Sequence, residues 1–226
     1  MSRTVTLVGI AATLVFVAAC SKTEPAKAPA DGPALNPPVQ EEPATPPTTS
    51  DAPQGAAIGA QAPAWANLEG TDGKQHSLKD LAGADVVAVV FTCNHCPVAQ
   101  AYEDRLVKFA NDYKDKRVEL VAINVSNLDQ DKLPAMKERA EEKGFDFAYL
   151  YDPSQQIGRE FGATTTPHAF VLDKSRNIAY MGAIDDNQDE SAVEKHYLRD
   201  AVDALLAGKA PEVATSQQFG CSIRYE

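Results

Sequence analysis

Apolar positions fall into blocks whose spacing changes along the chain. Residues 85–91 are mostly Val and Ala and end in Phe91, the length and density of a fully buried strand. Residues 118–125 repeat that pattern and predict a second buried strand. Between them, residues 98–113 put Val98, Tyr102, Leu106 and Phe109 on one side at helical spacing. Residues 131–143 predict a helix with many charged positions, 147–150 a short strand and 157–161 a helical turn. Two strands, 169–173 and 178–181, flank a turn at 174–177. A last amphipathic helix covers 191–207 and is closed by Gly208. Upstream, residues 62–68 alternate weakly as a strand, Gly70-Thr71-Asp72-Gly73 is turn chemistry, and Ser77 can cap residues 78–81.

Strands alternating with helices imply an α/β domain whose central strands are parallel. The two strands after Pro167 are joined by too few residues for a crossover, so they must pair antiparallel. The expected sheet is therefore mixed, with helices flanking it.

The first 57 residues follow other rules. Arg3 precedes an almost wholly apolar run at 5–19. That run is shorter than the roughly 20 residues a spanning helix needs, and it has the form of a secretory signal. It ends Val17-Ala18-Ala19-Cys20, which resembles the lipobox of bacterial lipoproteins. The resemblance implies removal of residues 1–19 and a diacylglycerol group on Cys20, so that acyl chains hold the protein to a membrane. Ser21 at the next position is similar to lipoproteins sorted to the outer membrane, on its periplasmic side. Residues 20–57 are rich in Pro, Ala, Thr and Glu and predict a disordered or polyproline-like tether. At about 3 Å per residue it reaches on the order of 100 Å. The folded domain is expected at 58–226.

Composition narrows the functions open to that domain. The 226 residues carry a formal charge of −11, which argues against a nucleic-acid partner. Four cysteines, Cys20, Cys93, Cys96 and Cys221, are too few for a disulfide-stapled scaffold, so each needs its own explanation.

Cys93-Asn94-His95-Cys96 carries the chemistry. Two cysteines separated by two residues can close a small disulfide loop. A buried strand runs straight into Cys93, and a helix begins near Cys96. A helix N-terminus offers free N–H groups and partial positive charge, which stabilise a thiolate. Cys93 is expected to be the exposed nucleophile and Cys96 the resolving thiol, with exchange through a mixed disulfide on Cys93.

Strand, CxxC, helix and then Thr166-Pro167 before a late strand resemble the thioredoxin superfamily. Ile58-Gly59-Ala60-Gln61-Ala62-Pro63, followed by Asp72-Gly73-Lys74 and Ser77-Leu78, is similar to its redoxin branch, which groups peroxiredoxins with membrane-attached thioredoxin-like proteins. The resemblance spans about residues 58–210. It implies a thioredoxin-like fold, a cis Pro167 packed against the disulfide, and a Thr166 backbone that pairs with a substrate peptide. It also marks departures. Thr92 stands where thioredoxins carry Trp, and Val87 stands where they bury an acid, which leaves the proton acceptor open. A protonated His95 between the cysteines would favour the Cys93 thiolate and an easily reduced disulfide.

Two rival activities fit the residues less well. Peroxiredoxins place Pro-x-x-x-Thr-x-x-Cys around the attacking thiol. Counting back from Cys93 gives Val90 and Val86, and from Cys96 gives Cys93 and Val89, so neither frame matches. Metal binding, as in a copper-delivery protein, would set two thiolates with His95 or His168 around Cu(I) or Zn(II), but related copper-delivery proteins use a wider CxxxC that this chain lacks, and no second CxxC closes a zinc site. The expectation is a dithiol–disulfide oxidoreductase without cofactor or metal. Its partners would be protein thiols and disulfides and a further redox protein. Cys221 stays open between a third redox thiol, a site for intermolecular bridging and a small buried apolar residue.

Overall fold

The structure, a computed structural model, describes residues 55–226; the signal run, Cys20 and nearly all of the tether lie outside them. A seven-stranded sheet forms the centre, in the order β2-β1-β5-β4-β3-β7-β8. The strands are β1 (Leu68–Gly70), β2 (Gln75–His76), β3 (Val86–Phe91), β4 (Val118–Asn124), β5 (Ala148–Tyr151), β7 (His168–Leu172) and β8 (Ile178–Gly182). A separate two-stranded ladder joins β6 (Thr165–Thr166) to β9 (Cys221–Ser222). The helices are α1 (Pro97–Tyr113), α2 (Leu133–Lys143), α3 (Gln156–Phe161) and α4 (Tyr197–Leu206). Strands β3, β4 and β5 run parallel, and β7 and β8 complete the sheet antiparallel. This is the mixed, helix-flanked sheet expected.

Both faces of β3 are covered, which is why its sequence does not alternate. Val87, Val89 and Phe91 pack into a cluster with Trp65, Ile157, Phe161 and Phe170. Val86, Ala88 and Val90 pack into another with Tyr102, Leu106 and Phe109 of α1 and Leu198 and Val202 of α4. Among the described residues no helix is long and apolar enough to cross a membrane.

Three expectations are corrected. Residues 62–67 form no strand; Ala62 and Trp65 are buried, but Pro63 offers no N–H, and the ladder begins only at Leu68, in a hairpin with β2. The last helix starts at Tyr197 and not at 191, because Asp189 takes the N–H of Ser191 and Asp186 takes that of Glu194. Such local side-chain bonds compete with helical ones. Helix α2 starts at Leu133 with Pro134 in its first turn, so Asp131 lies in a short 3-10 turn before it.

The register of the sheet places the candidate residues together. Phe91, the last residue of β3, stands opposite His168, the first of β7. Thr92-Cys93 and Thr166-Pro167 therefore leave neighbouring strands at the same end of the sheet. Asn124, at the end of parallel β4, reaches that same end.

Candidate active site

Phe91 hands the chain to Thr92, whose N–H still bonds the Ile123 carbonyl at 3.0 Å. Cys96 is the N-cap of α1, with extended backbone and Pro97 following it. Its Sγ accepts the Ala99 N–H at 3.4 Å, so the free end of the helix is spent on this sulfur. Thr166 bridges the two cysteines: its hydroxyl lies 3.3 Å from Cys93 Sγ, and its carbonyl accepts from Cys96 Sγ at 3.2 Å. The Thr166–Pro167 peptide is cis.

Cys93 was expected to be exposed, yet only 4% of it is. It nevertheless lines an open cleft of about 530 Å³ with Thr92, His95, Leu128 and Thr166, whereas Cys96 is wholly buried and does not reach the cleft. The two thiols divide charge unequally. Hydrogen bonding from Cys93, Cys221 and Ala99 outweighs burial and pulls Cys96 down to about 4. Cys93 is pushed far up by its bond to Cys96, by burial and by the Asp131 carboxylate, with the Thr166 hydroxyl opposing.

Asp131 is the site residue that sequence reasoning missed. The sequence places it at the start of a helix with many charged positions, and in the structure it is fully buried. Its Oδ1 accepts the N–H groups of Asn94 at 2.8 Å and His95 at 3.0 Å. Its Oδ2 accepts from Ser126 Oγ at 2.7 Å and faces His95 Nδ1 at 2.5 Å. Asn124 Nδ2 holds the Asp131 carbonyl, and Tyr149 donates to the Asn94 side chain. The loop between the cysteines is thus clamped from beneath. The only sequence signal was Pro134, which marks a helix start and leaves Asp131 outside the helix.

This changes the meaning of His95. Its Nδ1 is turned to a buried carboxylate, and the ring sits between that carboxylate and Cys93, with a ring nitrogen within 4.8 Å of Cys93 Sγ. Val87 is core, and the buried acid of this site is Asp131, supplied by the loop after β4. Cys93, His95 and Asp131 also bring potential ligand atoms within 4.8 Å of one another, but the His95 and Asp131 atoms are already bonded to each other. His168 lies outside that group; burial pushes its imidazole down to about 4, and its Nδ1 accepts the Thr164 N–H.

Cys221 joins the site, and the edge expected for a substrate peptide is already occupied. Thr166 pairs with Cys221 and Thr165 with Ser222, antiparallel. Cys221 packs against the cluster formed by Cys93, Cys96 and Ala99. Gly220 makes the approach possible: a Cβ there would lie 2.1 Å from the Thr166 carbonyl oxygen, and its φ is +151°. Beyond Ser222 the tail is pinned by Ile223 N–H to the Thr164 carbonyl, by the Tyr225 hydroxyl to the Ala163 carbonyl, and by Gln155 to both Arg224 and Glu226.

The comparisons agree with this architecture. A structure described as an uncharacterized conserved protein from Geobacillus kaustophilus is 34% identical, with a TM-score of 0.71 over 75% of this chain and 93% of that one. A hypothetical protein of Sinorhizobium meliloti 1021 is 30% identical, also with a TM-score of 0.71, over 75% and 95%. A putative thioredoxin from Neisseria meningitidis is 25% identical, with a TM-score of 0.53 over 65% and 89%. No curated protein sequence matches the chain. The Redoxin family profile matches residues 57–197, well over half of the chain, and with the thioredoxin-like fold around Cys93 and Cys96 this protein belongs to the Redoxin family.

Proposed function

We propose that the protein is an exported, lipid-anchored dithiol–disulfide oxidoreductase that exchanges electrons with protein thiols through Cys93 and Cys96. The observation that carries this reading is the division of labour between the sulfurs. Cys93 lines the cleft, and Cys96 is buried behind it at the helix N-cap. The Arg3, 5–19 and Cys20 pattern supports export and anchoring.

Cys93 gives its proton to solvent at the cleft, and its thiolate attacks one sulfur of a substrate disulfide. A Cys93–substrate disulfide forms, and the leaving substrate thiolate takes a proton from solvent. The Cys96 thiolate then attacks Cys93 Sγ, closes the Cys93–Cys96 disulfide and releases the second substrate thiolate. Two electrons pass from protein to substrate, and a dithiol protein partner resets the pair. The same steps reversed oxidise a substrate dithiol.

The test is insulin reduction and peroxide consumption assayed side by side on the full chain, with Cys93→Ser and Cys96→Ser controls. Insulin reduction lost in both variants is expected. Peroxide turnover that survives loss of Cys96, without disulfide exchange, would replace this reading with a peroxidase. Release from membranes by Cys20→Ala tests the anchor; retention of that variant would refute it.

A further inference from the structure

We propose that Cys221 is a third redox thiol: it exchanges with the Cys93–Cys96 disulfide, forming Cys96–Cys221 and leaving Cys93 free in the cleft. The inference rests on the dithiol reading above.

Three independent observations converge on it. First, the β6–β9 register sets Cys221 directly opposite Thr166, the residue whose hydroxyl and carbonyl contact both site sulfurs. Second, the three cysteines pack in one cluster with Ala99 and Val98, so Cys221 lies against the buried Cys93–Cys96 pair. Third, the segment is built to stay there. Gly220 lies against the Thr166 carbonyl as no other residue could, and the hydrogen bonds of residues 223–226 anchor the downstream side. A cysteine serving only as apolar filler needs none of this.

The step balances without an outside reagent. Cys221 loses its proton to solvent, and its thiolate attacks Cys96 Sγ. The Cys96–Cys221 bond forms as the Cys93–Cys96 bond breaks. The electron pair leaves on Cys93, which takes a proton from solvent. No net oxidation occurs; the disulfide passes from the cleft-lining Cys93 to Cys221. The exchange has a steric consequence. Once Cys221 is bonded to Cys96, the tail is covalently fixed over the Thr165–Thr166 edge, and an extended peptide cannot add a strand there. Cys93 then meets only what enters the cleft.

The experiment uses the full wild-type chain, oxidised by one disulfide equivalent and quenched with a thiol-alkylating reagent. Non-reducing tryptic digestion follows. Cys93 and Cys96 share the peptide from Asp80 to Arg105, and Cys221 lies in that from Ala210 to Arg224. Alkylation on Cys93 in joined peptides, lost in Cys221→Ser, is expected. Alkylation on Cys221 alone, with the two peptides unjoined, would overturn the proposal. The insulin assay separates the two readings. If wild type reduces insulin but its peptides are never joined, only the third thiol fails; if it does not reduce insulin, the dithiol reading itself has failed.

Discussion

Asp131 Oδ2 faces His95 Nδ1 at 2.5 Å, while Oδ1 of the same carboxylate holds the backbone N–H groups of Asn94 and His95. One buried acid therefore fixes both the imidazole between the cysteines and the loop that carries it. Asp131→Ala removes all of these acceptors and is expected to destabilise the protein by about 3 kcal/mol, read by urea unfolding.

Asp131→Asn keeps a carbonyl for the backbone N–H groups and removes the charge. That charge, after the Cys96 bond and burial, holds the Cys93 thiol up. The variant's Cys93 should therefore ionise at lower pH and alkylate faster near neutrality, measured against pH in a Cys221→Ser background. An unchanged profile would mean that the carboxylate does not act on the thiol.

The Thr166 hydroxyl works in the opposite direction. Thr166→Val has nearly the same shape and loses the 3.3 Å contact to Cys93 Sγ. Cys93 should become harder to ionise and insulin reduction several-fold slower at neutral pH, with stability changed by about 1 kcal/mol or less. Full activity in this variant would show that the hydroxyl is only packing.

Gly220→Ala puts a Cβ where the Thr166 carbonyl stands. The β6–β9 pairing should loosen at a cost of about 1–3 kcal/mol. Hydrogen exchange at the Ile223 N–H, which bonds Thr164, should quicken roughly tenfold or more while exchange in β3 and β4 is unmoved. Equal exchange at Ile223 in both proteins would contradict the close approach.

His168 gives the fold a pH dependence. Burial lowers its imidazole from 6.5 to about 4. Above pH 6.5 it is neutral folded and unfolded and contributes no slope. Between 6.5 and 4 the unfolded chain takes a proton that the folded chain refuses, so stability falls as pH falls. Between pH 7 and pH 5 the loss is about 2 kcal/mol. Unfolding at both pH values should show a smaller difference in His168→Gln, and an identical one would refute the assignment.

How much of this was legible in the sequence depends on the range of the interaction. The runs at β3 and β4 announced themselves because both faces of those strands are covered. The helix after Cys96 was equally plain, since its apolar residues recur on one face. Cys93 and Cys96 stand out by their spacing at a strand–helix junction, Thr166-Pro167 through a resemblance, and the β3–β7 register brings them together. Asp131 was not found: a carboxylate in a charged stretch reads as solvated, and nothing local says that it turns inward to a loop 36 residues back. The β9 strand was missed for a related reason. Two residues carry no periodicity, and only the Gly220-Cys221 sequence hinted at a close approach.

The strand that covers the active-site edge also has a place in time. Every other part of the site, from Cys93 through Asp131 to Pro167, is made before Cys221, and the domain's main sheet ends at Gly182. During synthesis the paired thiols and the bare Thr165–Thr166 edge therefore precede the segment that shields them. The nascent protein passes through an interval in which its dithiol is assembled but unguarded, open to any cysteine-bearing neighbour. Closure waits for Gly220, Cys221 and Ser222, so the guard of the site is the part made after the chemistry it guards.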